Sequence, residues 1–174
     1  MKLSRNPSSA VGRTLLLALL VAFWPAASSN SQGQSSSTSV SKTVTLERAQ
    51  KVIAAALKKS KEIDVAMNIA VLDAGGHLKA FVRMDDAFLG SIDISINKAY
   101  TARAFNTESK NLAGAAQPGG PLFGLHNTNG GRIVLFGGGI PLRNESGKVV
   151  GSIGVSGGSV TQDEQVAEVG VAAF

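Results

Sequence analysis

Hydrophobic residues follow two different spacings in the first half of the segment from residue 43 onward. Between residues 45 and 62 they recur at helical intervals, after Thr45 as a candidate N-cap and with Glu47 in the first turn. Residues 67–72 form a short apolar strand, the Asp-Ala-Gly-Gly sequence at 73–76 is a turn, and from His77 to Met84 apolar and polar residues alternate. This pattern predicts an amphipathic helix ending near Glu62, followed by a β-hairpin.

Helical spacing returns after residue 90. Ser91 is a candidate N-cap with Asp93 behind it, and a stripe at helical intervals follows: Ile92, Ile96, Ala99, Tyr100 and Arg103. Thr107 is a candidate cap for a short third helix that ends at Leu112. Residues 115–131 are rich in Gly, Pro and Asn, which predicts a long loop of the kind that is usually functional or mobile.

Residues 132–174 return to β-type patterns before a terminal helix. We predict strands at residues 132–136, from Ile140 and at 149–156, with a turn at 144–148; Gly151 and Gly154 allow a close approach to the backbone. The three glycines at 137–139 lack the spacing of a nucleotide-binding loop and are interpreted as a turn. Residues 161–164 (TQDE) match a capping box and predict a helix with these residues inward: Val166, Val169 and Ala173.

The predicted order is α-β-β-α-α-β-β-β-α. Strands joined by hairpins pair antiparallel, and helices then collect on the faces of the sheet. We therefore expect an α/β fold of the α+β type, with a central antiparallel sheet flanked by helices in a profilin-like or PAS-like arrangement. A doubly wound nucleotide-binding fold is excluded.

Residues 1–42 have a different composition. Lys2, Arg5 and Arg13 precede an apolar run at 14–23, which has the length of a signal-peptide core and is too short to cross a bilayer. Pro25 and the small residues after it suit cleavage, so we predict a signal peptide at residues 1–29, a disordered Ser-rich linker at 30–42 and one domain at 43–174. The expected location is periplasmic or secreted, with no stable membrane insertion after cleavage.

Removing the leader and linker changes the charge balance. The whole chain has a formal net charge of +5, whereas residues 43–174 contain thirteen basic and twelve acidic residues. A basic stripe is therefore absent, and we expect no nucleic-acid partner. With zero cysteines the chain has no disulfide or thiolate metal site, which excludes a Cys-based zinc site, an iron–sulfur cluster and a cysteine nucleophile.

Few residues carry candidate chemistry. Arg83 and Asp85 leave the predicted hairpin together, and Lys98 lies on the following helix. These residues either grip the carboxylate of a ligand or form a network that pins the helix to the hairpin, and both interpretations stay open. Of the two histidines, His77 follows a turn, where a solvated role is expected, whereas His126 in the long loop is the candidate metal ligand.

Five segments resemble the GlcG/HbpS family of haem-binding proteins, which is related to the C-terminal domain of PduO-type proteins. They occur in the family's order and cover nearly all of residues 45–174: 69–73 (IAVLD) with 75–78 (GGHL), 83–87 (RMDDA), 98–102 (KAYTA), 137–142 (GGGIPL) and 150–157 (VGSIGVSG). The resemblance implies a profilin-like sheet, assembly into homo-oligomers, and binding of haem or a related small ligand. A small carboxylate remains the alternative ligand that the residues Arg83, Asp85 and Lys98 suggest. Because ligation in the family uses histidine or a hydroxyl residue, it adds Thr101 and Thr107 to His126 as candidate ligands.

Three hypotheses follow for the function. The first is an exported haem-binding protein in haem or iron sensing or handling, using the surface near Arg83, Lys98 and His126. The second is an enzyme or accessory protein that acts on haem or on a small 2-hydroxy acid such as glycolate. The third is a structural oligomer component in which glycines 137–157 allow close subunit packing.

Overall fold

A computed structural model of the protein describes residues 42–174. The predicted signal peptide and all but the last residue of the predicted linker lie outside the described residues. Within residues 42–174, no helix has the length and apolar character needed to span a bilayer.

The described chain contains three α-helices and four strands. The helices are α1 (Leu46–Glu62), α2 (Gly90–Phe105) and α3 (Val160–Ala172), and the strands are β1 (Asn68–Asp73), β2 (Leu78–Arg83), β3 (Gly139–Arg143) and β4 (Val149–Ser156). Three short 3-10 turns lie between α2 and β3, at Ser109–Leu112, Leu125–Asn127 and Asn129–Gly131. The described part thus has one helix and one strand fewer than predicted.

The strands form one antiparallel sheet in the order β2-β1-β4-β3. On one face, α1 and α3 cover the main apolar core, which includes these buried residues: Val52, Ile69, Val71, Ile153, Val155 and Val166. On the opposite face α2 packs against β1, β3 and β4. The predicted mixed α+β fold is confirmed, and so is the hairpin, because β1 and β2 pair antiparallel across the turn at residues 73–76.

The helix α1 follows the sequence closely. The side chain of Thr45 accepts a hydrogen bond from the backbone N–H of Arg48 at 3.2 Å, and the helix ends at Glu62 as predicted. Its buried residues recur at helical spacing and face the sheet: Ala49, Val52, Ala56 and Ser60. An amphipathic pattern of this kind is local, so the sequence reports it directly.

The start and the inner face of α2 differ from the prediction. The helix begins one residue before Ser91, which is buried in its first turn and makes no capping bond. Its buried side chains are mostly small or polar, namely Ser91, Ser95, Asn97, Lys98, Ala99, Thr101 and Ala102, whereas the predicted apolar residues Ile92 and Ile96 are only half-buried.

Close contact with β4 explains this inner face. A Cβ atom on Gly154 would overlap the carbonyl oxygen of Ser95 and lie 2.5 Å from the backbone nitrogen of Ala99. Ser152, two residues earlier, donates a hydrogen bond to the carbonyl of Ala99 at 2.7 Å. The predicted close approach at Gly154 is confirmed, and it leaves room only for small residues on the facing side of α2.

Three further predictions are wrong. Thr107 does not cap an α-helix, because Ser109–Leu112 is a 3-10 turn without a side-chain cap. Residues 132–136 form no strand. The capping box of α3 consists of Ser159 and Gln162 instead of residues 161–164, and of the residues predicted to face inward Val166 is buried, Val169 half-buried and Ala173 exposed.

Candidate functional site

A buried ion pair lies where α2, β4 and α3 meet. The ammonium of Lys98 lies 2.6 Å from Oδ2 of Asp163 and donates a second hydrogen bond to the carbonyl of Val155 at 2.9 Å. The side chains of Lys98 and Asp163 are 0% and 4% exposed. The ring of Phe136 lies 4.8 Å from the Lys98 ammonium, which places an aromatic face beside the charge.

The three glycines at 137–139 make room for this pair. Gly138 has a φ of +106°, and a Cβ atom there would lie 3.0 Å from Nζ of Lys98 and 2.7 Å from the carbonyl oxygen of Val155. A Cβ on Gly139 would overlap the carbonyl of Lys98 itself. The glycines therefore let the backbone before β3 pass directly over the buried lysine, which is a packing role.

Burial shifts both members of the pair toward their neutral forms. Desolvation lowers the pKa of Lys98, although the attraction and hydrogen bond from Asp163 oppose that shift. Desolvation likewise raises the pKa of Asp163 against the opposing effect of Lys98. Oδ1 of Asp163 also accepts a hydrogen bond from the N–H of Gly158 at 3.0 Å. The pair is thus hydrogen-bonded on several sides. Even so, the effect of burial on each pKa is larger than the opposing effect of the partner's charge.

The structure does not bring Arg83, Asp85 and Lys98 together on one surface. Arg83 and Asp85 are exposed beside an open cavity of about 360 Å³ lined by residues 83–86, and Arg83 donates to the carbonyl of Ala87 at 3.1 Å. Lys98 points into the interior. It connects α2 to β4 and α3, so the predicted network of Arg83, Asp85 and Lys98 that would join the helix to the hairpin does not form.

Three exposed apolar side chains lie on the loop between α2 and β3. Leu122, Phe123 and Phe136 are 43%, 64% and 43% exposed. His126 is exposed in the turn Leu125–Asn127, and within the described residues its imidazole forms no hydrogen bond or ion pair. We call the set Leu122, Phe123, His126, Arg132 and Phe136 the loop surface. It combines apolar side chains, one imidazole and one guanidinium.

Side chains of α2 hold this loop in place. Thr101 accepts a hydrogen bond from the N–H of Val134 at 2.9 Å, and the hydroxyl of Tyr100 donates to Oδ1 of Asn129 at 3.1 Å. Ser109, just after the helix, donates to the carbonyl of Phe136 at 2.6 Å. Side-chain bonds thus take up the N–H of Val134 and the carbonyl of Phe136, two backbone groups that a partner strand would otherwise bind.

The two candidate hydroxyl ligands have internal roles. Thr101 is fully buried, and besides accepting from Val134 it donates to the carbonyl of Asn97 at 2.8 Å. Thr107 is half-buried and accepts a hydrogen bond from the side chain of Asn111 at 3.0 Å. Of the three candidate ligands, His126 is the most exposed, and within the described residues its side chain has no hydrogen-bond partner. Within residues 42–174, no group of three or more His, Cys, Asp or Glu side chains is placed to hold a bare metal ion.

Arg132 is a candidate site residue that the sequence analysis missed. Its guanidinium lies 3.7 Å above the centroid of the Tyr100 ring and donates from Nε to Oδ1 of Asn97 at 3.2 Å. A signal for it exists in the sequence, because no Asp or Glu occurs between Glu108 and Glu145. Basic residues in such a stretch lack a local counter-charge, which favours binding of an anionic group.

Comparison with known proteins identifies the family. The pattern of the family described as "Haem degrading protein HbpS-like" matches residues 44–172. A 15.0 kDa protein encoded in the dhaT-dhaS intergenic region of Citrobacter freundii is 47% identical over 76% of this chain and 92% of its own length. The corrinoid adenosyltransferase PduO of Citrobacter freundii is 42% identical over 69% of this chain, which spans only 36% of PduO.

A solved structure supports the same assignment. The structure described as a PduOC:heme complex superposes with a TM-score of 0.72 at 34% identity, covering 75% of this chain and 94% of that one. Its sheet and helices therefore match the fold described above, and the resemblance that the sequence motifs indicated is confirmed. The chain belongs to the HbpS-like family, which includes GlcG and the C-terminal domain of PduO-type proteins.

Proposed function

We propose that this protein binds haem on the loop surface and acts outside the cytoplasm in haem or iron sensing or handling. The observation that carries the proposal is the relative whose structure is described as a haem complex, at 34% identity over 75% of this chain. The description of the family as haem-degrading points to the same ligand.

The chemistry of the loop surface fits haem. A porphyrin needs apolar contacts, its iron needs an axial ligand, and its propionates need cations. Phe123 and Phe136 supply exposed apolar area, His126 supplies an imidazole, and Arg132 supplies a guanidinium. When bound, haem would contribute redox chemistry at its iron, while the protein would supply binding and orientation.

The other candidate residues fit less well. Thr101 and Lys98 are fully buried and hydrogen-bonded, so neither faces a ligand on the surface. Arg83 and Asp85 line their own open cavity, where Arg83 keeps unused N–H donors for a carboxylate. His126 is accordingly the residue that would ligate the haem iron, and Arg132 the residue that would pair with a propionate.

A titration with haemin tests the proposal. We expect the full chain to give a red-shifted Soret band that saturates at stoichiometric haemin. His126→Ala should lower the affinity by at least about tenfold, because loss of a ligand costs no less than loss of a residue that supports one. His77→Ala is the matched control, since His77 is also exposed and should leave the band unchanged. Absence of the band in the native chain would refute haem binding, whereas a normal band in His126→Ala would refute only the ligand.

Export and assembly belong to the same proposal. The basic, apolar and small-residue segments of residues 1–29 support a cleaved leader, and the absence of cysteine means that the domain needs no disulfide outside the cytoplasm. We expect a periplasmic or secreted homo-oligomer. Mass spectrometry of the protein from the periplasmic fraction would locate the new N-terminus, and an intact residue 1 there would contradict cleavage.

Haem degradation is a second candidate function, favoured by the family description. It requires a reductant and dioxygen in addition to the bound haem. If the protein catalyses this reaction, the Soret band of the complex should decay with ascorbate under air, and iron should be released. A band that survives this treatment unchanged would leave binding as the function.

A further inference from the structure

Three basic side chains line one small cavity at the C-terminal end of α2. The cavity measures about 240 Å³. Its lining consists of Arg103, Asn106, Arg143, Gly147, Lys148 and Val149, and no acidic residue is among them. The residues come from the end of α2, the end of β3 and the turn before β4.

Asn106 joins the two arginines. Arg103 donates from Nη1 to Oδ1 of Asn106 at 2.9 Å, and Arg143 donates from Nη2 to the backbone carbonyl of the same residue at 2.7 Å. Asn106 has a φ of 54°, a left-handed conformation that Asn adopts more readily than most residues. One residue at the helix end therefore fixes two guanidinium groups beside each other.

Backbone carbonyls hold each guanidinium from a second side. Arg103 donates from Nε to the carbonyl of Ala74 at 2.7 Å, and Arg143 donates from Nη1 to the carbonyl of Gly147 at 3.0 Å. A guanidinium carries five N–H groups, so several remain unused on each arginine. The ammonium of Lys148 forms no hydrogen bond or ion pair with any residue that the structure describes.

The charges of this cavity are not balanced locally. Within residues 42–174, Arg103, Arg143 and Lys148 form no ion pair with Asp or Glu. The C-terminus of α2 contributes a partial charge of roughly −0.5, far less than three positive charges. Like charges held close together repel, and a bound anion would offset this repulsion.

We propose that Arg103, Arg143 and Lys148 form a binding site for a tetrahedral, doubly charged oxyanion of the phosphate type. Three cations that approach from three chain segments match a group with several equivalent oxygens and a charge near −2 better than a planar carboxylate, which a single arginine already satisfies. The site uses none of the residues of the loop surface. The phosphate site can therefore be confirmed or refuted whether or not the protein binds haem.

Nuclear magnetic resonance of the full chain tests the site. Sodium phosphate is titrated against sodium chloride at constant ionic strength, and saturating shifts are expected at the amides of Asn106, Gly147 and Lys148. Lys148→Gln should weaken binding by roughly threefold, as expected for one exposed charge. Lys61→Gln is the matched control, because Lys61 is exposed on α1, on the opposite face of the sheet, and should bind phosphate as the native chain does.

Arg143→Lys provides a second variant that keeps the positive charge but loses the fork of N–H donors. It should weaken phosphate binding while the amide spectrum stays dispersed. Vesicles that contain phosphatidic acid, whose phosphomonoester headgroup can carry two negative charges, then distinguish the source: co-sedimentation that phosphate reverses assigns the site to a lipid headgroup, and phosphate shifts without co-sedimentation assign it to a soluble phosphate. Shifts no larger than those with chloride, or native affinity in both Lys148→Gln and Arg143→Lys, would overturn the proposal.

Discussion

The ammonium of Lys98 lies 2.6 Å from the carboxylate of Asp163, and both side chains are buried where α2 meets α3 at the end of β4. The two residues are far apart in the sequence, so their contact holds two distant segments of the chain together. It also fixes the backbone at residues 137–139, which leads from the loop surface into β3. The pair therefore links the stability of the domain to the position of its candidate site.

Removing one member of this pair should be costly. We expect Lys98→Met alone to lower the free energy of unfolding near neutral pH by about 3–5 kcal/mol, because the buried carboxylate of Asp163 then loses its cation. The double variant Lys98→Met/Asp163→Leu should recover most of that loss, since it leaves no buried charge. Urea denaturation of the native chain and the two variants measures this recovery, and a double variant no more stable than Lys98→Met would contradict it.

The same pair predicts a pH dependence. The pKa of Asp163 is raised above its ordinary value of 3.8, so its stabilising contribution is fully present below pH 3.8 and is lost as pH rises through the folded-state pKa. The pKa of Lys98 is lowered below 10.5, so its contribution is present above pH 10.5 and is lost as pH falls through the folded-state pKa.

We therefore compare the free energy of unfolding of the native chain with that of the double variant Lys98→Met/Asp163→Leu. The difference should be least favourable to the native chain near neutral pH, between the acidic range below pH 3.8 and the basic range above pH 10.5. Urea midpoints of both proteins below pH 3.8, near neutrality and above pH 10.5 provide the measurement. Groups other than Lys98 and Asp163 are common to both proteins and cancel in the difference. If the native chain instead gains most over the double variant at neutral pH, the attraction between Lys98 and Asp163 outweighs the cost of burying them, and the prediction is wrong.

Gly154→Ala should separate α2 from β4. The new Cβ would overlap the carbonyl of Ser95 and approach the backbone of Ala99, where neither backbone can move independently. We expect a loss of about 3 kcal/mol in the free energy of unfolding, typical of overpacking. Gly114→Ala is the control, because nothing lies within 4 Å of its Cβ position, and it should change stability by less than about 1 kcal/mol.

The start of α3 offers a test between two neighbouring hydroxyl residues. The side chain of Ser159 accepts from the N–H of Gln162 at 3.3 Å, and the side chain of Gln162 accepts from the N–H of Ser159 at 2.9 Å. Ser159→Ala should therefore cost about 1 kcal/mol, and Thr161→Ala much less. Thermal unfolding compares the two variants, and a larger loss in Thr161→Ala would place the cap where the sequence pattern first suggested.

Two arginines distinguish the proposed haem surface from its alternative. If a propionate binds Arg132, Arg132→Gln should weaken haemin binding by roughly threefold, whereas Arg83→Gln should leave it unchanged. Circular dichroism checks that Arg132→Gln keeps its fold after losing the contact with Tyr100. The reverse result, with Arg83→Gln weakened and Arg132→Gln unaffected, would move the ligand to the cavity at residues 83–86.

The sequence by itself determined the local features of this protein. The cap at Thr45, the periodicity of α1, the hairpin around residues 73–76 and the last strand were all predicted correctly. Each of these features depends on residues that are close together in the sequence, so the spacing of apolar, polar and turn residues is enough to predict it. The family motifs likewise indicated the fold.

Tertiary structure decided which candidate residues face solvent and which are internal. A lysine on a polar-looking helix became buried because Asp163, on another helix, supplies its charge partner. Residues 132–136 carry a strand-like pattern, yet they form no strand, and Thr101 and Ser109 bind the N–H of Val134 and the carbonyl of Phe136. Such outcomes depend on contacts between distant segments, whose free energies no local pattern records.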